Sequence, residues 1–447
     1  MYFLYSAGLT LAALLSSPWW LLNLLRHGKH RMGLTERLGF IPARIRPSAG
    51  EPGSNQGTIW LHAVSVGEVL ASAGLVAALR ARFPDRRIVI STTTAAGQAL
   101  ARQRFGEASV FFVPLDFAFA IRPWLRTLRP ELLILAETEF WPNFLRLARQ
   151  SGSRIAVVNA RISDRSFPRY RLARRFFQHV LANIDVFLAQ SEQDRLRLLA
   201  MGASLHRVHV SGNLKFETPP PPDSPLLEML RRQIKASASH PVLVFGSTVE
   251  GEDELLLPAI GGILQQFPDA MVILAPRHPE RFQKVADLLE QSGFRFWRRS
   301  QWTEDITLRG GVFLLDSIGE LASLYSLAAI AFVGGSLVPR GGHNILEPAQ
   351  AGVAIVVGPH TENFRDILSI FRNAGAVKEV TAAQLSPLLL HLLQHEDERS
   401  EIGRRAEENV RLHSGATMRT LAALENLLDP ANKKPASSPP LQPSEVR

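Results

Sequence analysis

The stretch LHAVSVGEVLAS, residues 61–72, places a carboxylate, Glu68, directly after an apolar run and Gly67, where a helix-like pattern begins. An acid on the first turn of a helix at the end of a buried strand is placed to accept a proton from a substrate hydroxyl. It also suits the positive end of the helix dipole without any chemistry. ILAETEFWPN sets Glu137 and Glu139 at another strand end, and alternate spacing along a strand points them to opposite faces, so at most one faces a site. Lys215 of SGNLKFE lies just before a proline-rich stretch, either at a domain junction or as a solvated lysine.

Later in the chain, GGHNILEP (341–348) combines a glycine turn with Glu347 on the following helix. Its two oxygens could accept both hydroxyls of a ribose; otherwise it is an ordinary acid near a helix start. Arg277, after a buried strand, suits a bidentate phosphate contact or a surface salt bridge. Glu320 lines a base pocket through its backbone or is a plain first-turn glutamate. No GxGxxG follows a strand and no GxxxxGK[ST] occurs, which excludes a dinucleotide fold of that type and a P-loop. Zero cysteines remove thiolate metal sites, disulfides and sulfur nucleophiles. No carboxylate cluster shows metal-ligand spacing, so no metal is expected.

The elements that position these residues are apolar runs alternating with amphipathic stretches. IWLHAV (59–64), RIVIST (87–92), ELLILAETE (131–139), RIAVVNA (154–160), DVFLAQS (185–191) and VHVSGN (208–213) read as strands. After TPPPPDSP the rhythm restarts with PVLVFGS (241–247), AMVILAP (270–276), GVFLLDS (311–317), AIAFVGG (329–335) and AIVVGP (354–359). Such runs between helices predict an α/β chain of two parallel sheets covered on both faces. Ligands then bind beyond the carboxyl ends of the strands. The expected domains are 31–217 and 226–428, joined by a proline-rich linker at 218–225, with an N-terminal segment at 1–30 and a disordered tail at 429–447 that has little apolar surface to bury.

The 447 residues suit two cores. With 50 Lys+Arg against 41 Asp+Glu, the net charge of +9 favours an anionic partner. Nucleic acid is not the expected partner, because no RNA- or DNA-binding motif accompanies the charge. From Tyr2 to Leu25 the chain is uncharged, with Pro18 and Trp19–Trp20 in its second half and Arg26, His27, Lys29, His30 and Arg31 after it. That pattern predicts an uncleaved membrane anchor, spanning or embedded in one leaflet, with the body on the cytoplasmic side; a buried apolar hairpin is the alternative. RYRLARRFFQHV (169–180), basic with aromatics, suits an anionic membrane surface, or is simply an exposed helix.

Seven ordered blocks, LHAVSVGE, LAETEFWPN, VNARISDRS, GNLKFE, APRHPERF, FVGGSLVPRGGHNILEP and GPHTENF, resemble the 3-deoxy-D-manno-octulosonic acid (Kdo) transferases of lipopolysaccharide assembly, from the N-terminus to about residue 425. The resemblance implies a GT-B fold, two Rossmann-like domains facing a cleft. It implies inverting, metal-independent transfer of Kdo from CMP-Kdo to a lipid A precursor (lipid IVA) at the cytoplasmic face of the inner membrane, with no cofactor beyond the donor itself. By matching positions it assigns Glu68 as proton acceptor and Glu137 and Lys215 as transition-state stabilisers. CMP contacts fall to Pro276, Arg277, Ile318, Gly319, Glu320, Asn344, Ile345, Leu346 and Glu347. Val249 of STVEGE stands where the family often has histidine, a departure from the pattern at a position that the resemblance connects with a helper role in donor binding. Two rival readings are a different membrane-associated sugar-nucleotide transferase of this fold and a non-catalytic nucleotide-sugar-binding membrane protein. The first would keep the phosphate loops without SVGE, ETE and NLKF together; the second would have no use for Glu68.

Overall fold

The structure, a computed structural model, describes residues 1–27, 33–46, 57–217 and 224–429; side chains of 17–27 are not described. Residues 218–223 of the proline-rich linker, most of the C-terminal tail and the basic residues Lys29, His30 and Arg31 fall outside these residues, while Ser224 and Pro225, expected in the linker, begin the helix Pro225–Ser237. The chain forms two α/β units. Unit 1 is Met1–Glu217, rejoined by the chain from Ser414 onward, and unit 2 is Thr218–His413.

Unit 1 holds seven parallel strands: β1 (Thr58–His62), β2 (Ile88–Thr92), β3 (Val110–Phe112), β4 (Pro130–Ala136), β5 (Arg154–Ala160), β6 (Val186–Ala189) and β7 (Val208–Val210). Their order is β3-β2-β1-β4-β5-β6-β7. The apolar runs are continuous because both faces are covered. Trp60, Val89, Leu133 and Leu135 enter one core, while Ile59, Leu61, Ile88, Ile90, Leu132 and Ile134 enter the other, as the two-residue alternation of a strand requires.

Unit 2 repeats the plan with β8 (Val242–Thr248), β9 (Met271–Pro276), β10 (Phe296–Arg298), β11 (Gly311–Leu314), β12 (Ile330–Val333), β13 (Ala354–Val357) and β14 (Lys378–Glu379). The order is β10-β11-β9-β8-β12-β13-β14. Leu243, Phe245, Val272 and Leu274 face one core, and Val242, Val244 and Ile273 the other. In each sheet the direction of winding reverses beside the first strand, between β1 and β4 and between β8 and β12. These are the switch points where open α/β sheets bind ligands.

One expected boundary is corrected. The helix Ala416–Leu428, assigned from the sequence to the second domain, belongs to unit 1. It packs on the helix Val66–Arg82, with Ala416, Leu421, Leu424 and Leu428 completing that core, and Arg419 Nε donates to the Ser211 carbonyl at 2.8 Å. An amphipathic helix goes where its apolar stripe is covered, whatever its place in the chain.

The N-terminal segment is one helix, Tyr2–His27. Among the described residues no helix is long and apolar enough to cross a membrane. Its first turns dock on unit 1: the Tyr5 hydroxyl donates to Asp116 Oδ2 at 2.9 Å, Asn143 Nδ2 donates to Ser6 Oγ at 3.1 Å, and Asn183 Nδ2 donates to the Tyr2 hydroxyl at 2.9 Å. Phe3, Leu4, Leu11, Leu14 and Leu15 stay exposed.

Candidate active site

In unit 1 the switch point collects carboxylates. The helix Val66–Arg82 begins at Ser65, so Gly67 lies in its first turn and not in the turn before it, as the sequence had suggested. A Cβ at Gly67 would meet only Ser65 Oγ, at 3.9 Å, so no protein neighbour requires glycine there. Glu68 is buried; its Oε2 accepts the Val64 N–H at 2.7 Å and its Oε1 the Ser65 hydroxyl at 2.9 Å. Burial pushes its carboxyl from 4.5 up to about 7, against those hydrogen bonds and with help from the negative charges of Glu137 and Glu139. Burial is the largest of these effects. A carboxyl titrating near 7 is the form in which a general base works best at neutral pH. His62, the last residue of β1, is wholly buried against Ser91 and Trp141, and burial lowers its ring to about 4, so it stays neutral.

β4 ends at Ala136 and Glu137 turns into a left-handed backbone, φ 59°. The alternating-face rule therefore does not reach 137–139, and both glutamates act electrostatically on Glu68. Glu139 accepts the Trp141 indole N–H at 2.7 Å, and burial raises its carboxyl. Glu137 stands 3.4 Å from Lys215 Nζ. Lys215 occupies the single turn Leu214–Phe216, whose start is capped by Asn213 Oδ1 accepting the Lys215 N–H at 2.9 Å. Strand ends separated in sequence by 147 positions thus bring Glu68 and Lys215 to one place, with Glu137 touching both electrostatically. Beside Glu137 opens a cavity of about 290 Å³ lined by Thr138, Arg161, Ser163, Ser166 and Tyr170.

In unit 2 the expected segments lie after successive strands. Arg277 follows β9, donates its N–H to the Thr248 carbonyl at 2.9 Å and is exposed. Its charge draws the Glu347 carboxyl down, while burial, the larger effect, raises it. Gly341 and Gly342 both take positive φ, 86° and 73°, as the predicted turn requires. Asn344 joins Glu347 through Nδ2 to Oε1 at 3.3 Å and caps the Leu346 N–H at 3.1 Å. Ile345 and Leu346 are buried, so their polar contribution is backbone. Ile318 is exposed, Gly319 takes φ 93°, and Glu320 is held through its side chain by Ser317 and by Arg299 at 3.3 Å and through its carbonyl, which accepts the Ser323 hydroxyl at 2.7 Å. Pro276 closes β9. Val249 is buried and presents no polar group.

The sequence reading missed Glu252 and His343. Glu252 is fully buried, and its carboxylate accepts four backbone N–H groups: Val249 at 3.2 Å, Gly335 at 2.7 Å, Ser336 at 3.0 Å and Leu337 at 2.9 Å. It fixes the loop after β12 from the loop after β8. The His343 ring packs so closely on Gly335 that a Cβ there would lie 2.8 Å from it, and burial lowers the ring to about 4. Nothing in the spacing separates Glu252 from a surface acid at a helix start, whereas His343, between a glycine pair and Asn344, sat inside a segment already marked. Among the described residues no group of three or more His, Asp or Glu could hold a metal ion.

Comparison with known proteins decides the family. Residues 32–218 match the family model of 3-deoxy-D-manno-octulosonic-acid transferase (kdotransferase). The chain is 34% identical over 412 residues to the 3-deoxy-D-manno-octulosonic acid transferase of Haemophilus influenzae, covering 90% of this chain and 92% of that protein. The chain belongs to the Kdo transferase family. A second family member, from Bordetella pertussis, is 35% identical over 400 residues, covering 87% of this chain and 92% of its own length. Among solved structures, a glycosyltransferase from Rickettsia africae superposes with a TM-score of 0.52 at 12% identity, covering 85% of this chain and all of that one, a likeness of fold. As a Kdo transferase the chain is an enzyme, and the two α/β units are its expected architecture.

Proposed function

We propose that this Kdo transferase moves Kdo from CMP-Kdo to a hydroxyl of a lipid A precursor, with inversion at the anomeric carbon. The observation that carries the reading is Glu68, poised near 7 at the β1–β4 switch point beside the Glu137–Lys215 pair. The bond from the Kdo anomeric carbon to the CMP phosphate breaks, the acceptor oxygen bonds to that carbon, and the hydroxyl proton passes to Glu68. Lys215 offsets negative charge on the sugar carboxylate or the departing group, and Glu137 holds Lys215 and supports the cationic character of the sugar. The cavity beside Glu137 takes the acceptor sugar. In unit 2, Arg277 and the backbone of Ile318–Glu320 meet the nucleotide, and Glu347 with Asn344 takes the ribose hydroxyls. These groups suffice without a further cofactor.

The helix Tyr2–His27 is the membrane attachment in this reading, at the cytoplasmic face of the inner membrane. Its exposed Phe3, Leu4, Leu11, Leu14 and Leu15 support embedding in one leaflet, and Arg169, Arg171, Arg174 and Arg175 are exposed nearby, the last two on a helix that Tyr2 and Tyr5 touch. The test is turnover of purified enzyme with CMP-Kdo and a lipid A precursor, read by product mass, with UDP-sugars as competing donors. Transfer from a UDP-sugar instead, or binding without turnover, overturns the proposal.

A further inference from the structure

A single strand end holds both members of the Lys215–Glu137 pair. β5 pairs with β6 through Val157 opposite Phe187 and Ala160 opposite Ala189, so the ladder carries one extra residue over 158–159. Bulges of this kind re-aim the chain next to active sites. At the bulge Asn159 takes a left-handed backbone, φ 53°, a region that side-chain-bearing residues other than Asn and Asp rarely enter. It is buried, and its Oδ1 accepts the Leu214 N–H at 2.9 Å, across 55 residues of chain. Leu214 opens the turn that carries Lys215. The carbonyl of the preceding residue, Val158, accepts the Glu137 N–H at 2.9 Å. Two consecutive residues therefore fix the backbones from which Lys215 and Glu137 reach each other, 3.4 Å apart. The Asn159 Nδ2 is buried and meets no acceptor among the described residues, so the amide is not retained for a second tether of its own. Most buried strand positions in this sheet are apolar, the polar exceptions besides Asn159 being Thr58, His62, Ser91 and Thr92 near the ends of their strands, and packing alone does not call for an amide.

We infer that Asn159 is a positioning residue for Kdo transfer: by tethering Leu214 it sets where Lys215 Nζ stands relative to Glu137. The inference rests on the reading in which Lys215 and Glu137 stabilise the transition state. It does not involve the donor segments of unit 2, which gives it a kinetic signature. Asn159→Gly keeps the left-handed backbone accessible and removes only the tether, so it separates positioning from folding. Asn159→Asp keeps an acceptor for the Leu214 N–H and tolerates the same backbone.

The full-length enzyme is assayed with CMP-Kdo as donor, alongside Lys215→Ala and the double variant. Asn159→Gly should lose about 10- to 100-fold in kcat, the scale of a misplaced catalytic group, with KM for CMP-Kdo changed less than about 3-fold. Asn159→Asp should recover most of that loss, with its pH–rate profile moved to higher pH by the added negative charge near Glu68 and Glu137. Asn159→Gly in the Lys215→Ala background should cost little more than Lys215→Ala alone, because the tether then positions nothing. Full turnover in Asn159→Gly, or losses that multiply in the double variant, overturns the positioning role while leaving Lys215 in place. A silent Lys215→Ala instead overturns the catalytic reading on which it rests. If Asn159→Gly does not fold, Asn159→Asp decides, since failure to retain the rate in a folded Asp variant refutes tethering through Oδ1.

Discussion

Replacing Glu68 by Gln separates its two roles, because the side chain both ends a helix and is held as a reluctant acid. Its carboxyl lies at about 7 in the fold against 4.5 in an exposed chain. At about 1.4 kcal/mol per tenfold in proton affinity, ionised Glu68 destabilises the native state by about 3 kcal/mol. The folded state binds this proton more tightly than the unfolded one, so the contribution to stability is favourable at low pH and is lost as pH rises from 4.5 through 7. Gln cannot ionise. Its carbonyl can still accept the Val64 N–H and its amide can donate to Ser65 Oγ, so the helix cap is largely kept. At pH 8 Glu68→Gln should therefore raise the stability of unit 1 by about 2–3 kcal/mol, seen by calorimetry as a transition about 5 °C or more higher, and most of that gain should vanish at pH 5. Activity should move the opposite way. Wild-type kcat should fall to about one tenth of its plateau at pH 6, as the base protonates, and Glu68→Gln should lose about 10²–10⁴-fold with CMP affinity unchanged. A variant that is less stable at pH 8 would show that the hydrogen bonds, not burial, govern this carboxylate. A variant with near-normal turnover would make Glu68 a helix cap and pass the base role to Glu137.

Three further outcomes follow from the same structure. Glu347→Ala should weaken CMP binding about 5- to 100-fold in calorimetric titration, as two hydrogen bonds to ribose are lost; unchanged affinity removes Glu347 from the donor site. Glu252→Ala should cost about 3 kcal/mol or more, because four backbone N–H groups lose a buried acceptor, and it should weaken CMP binding through the loop after β12; a stable variant with normal affinity would show that the loop holds without it. Deleting residues 1–25 should leave both sheets formed but lower the unit 1 transition by about 1–3 kcal/mol as the Tyr5–Asp116 contact goes. Turnover on vesicle-embedded acceptor should fall more than on detergent-dispersed acceptor, and equal losses on both would remove the helix's membrane role.

The central strands were legible because burial on both faces leaves an unbroken apolar signature, as in IWLH and LLILA. The strands that escaped, β3, β10 and β14, are three, three and two residues long and lie at sheet edges, where pairing on one side needs no such run. Glu68, Glu137 and Lys215 were legible as polar residues just beyond strands. Their mutual placement was not, because it depends on strand order, and a sequence does not display that β1 lies beside β4. The alternating-face argument for Glu137 and Glu139 did not apply because a single left-handed residue, Glu137, ended the strand at Ala136, three positions before the expected end. Glu252 escaped for a related reason: three of its four partners are backbone amides 83 to 85 positions away, and backbone groups leave no compositional trace.

The return of the chain from unit 2 to complete unit 1 has a consequence for how the protein is made. The surface of the helix Val66–Arg82 that later receives Leu421, Leu424 and Leu428 exists once residue 217 has been synthesised, yet its cover arrives about 210 residues afterwards. At 5–20 residues per second that interval lasts about 10–40 s. Throughout it the first unit carries an apolar groove open to chaperones and to neighbouring nascent chains, while the second unit, whose strands are contiguous in sequence, can close its own core as soon as it emerges. The amino-terminal unit is therefore begun first and finished last, and a chain cut short before residue 416 would present a second unit with its core complete attached to an aggregation-prone partner.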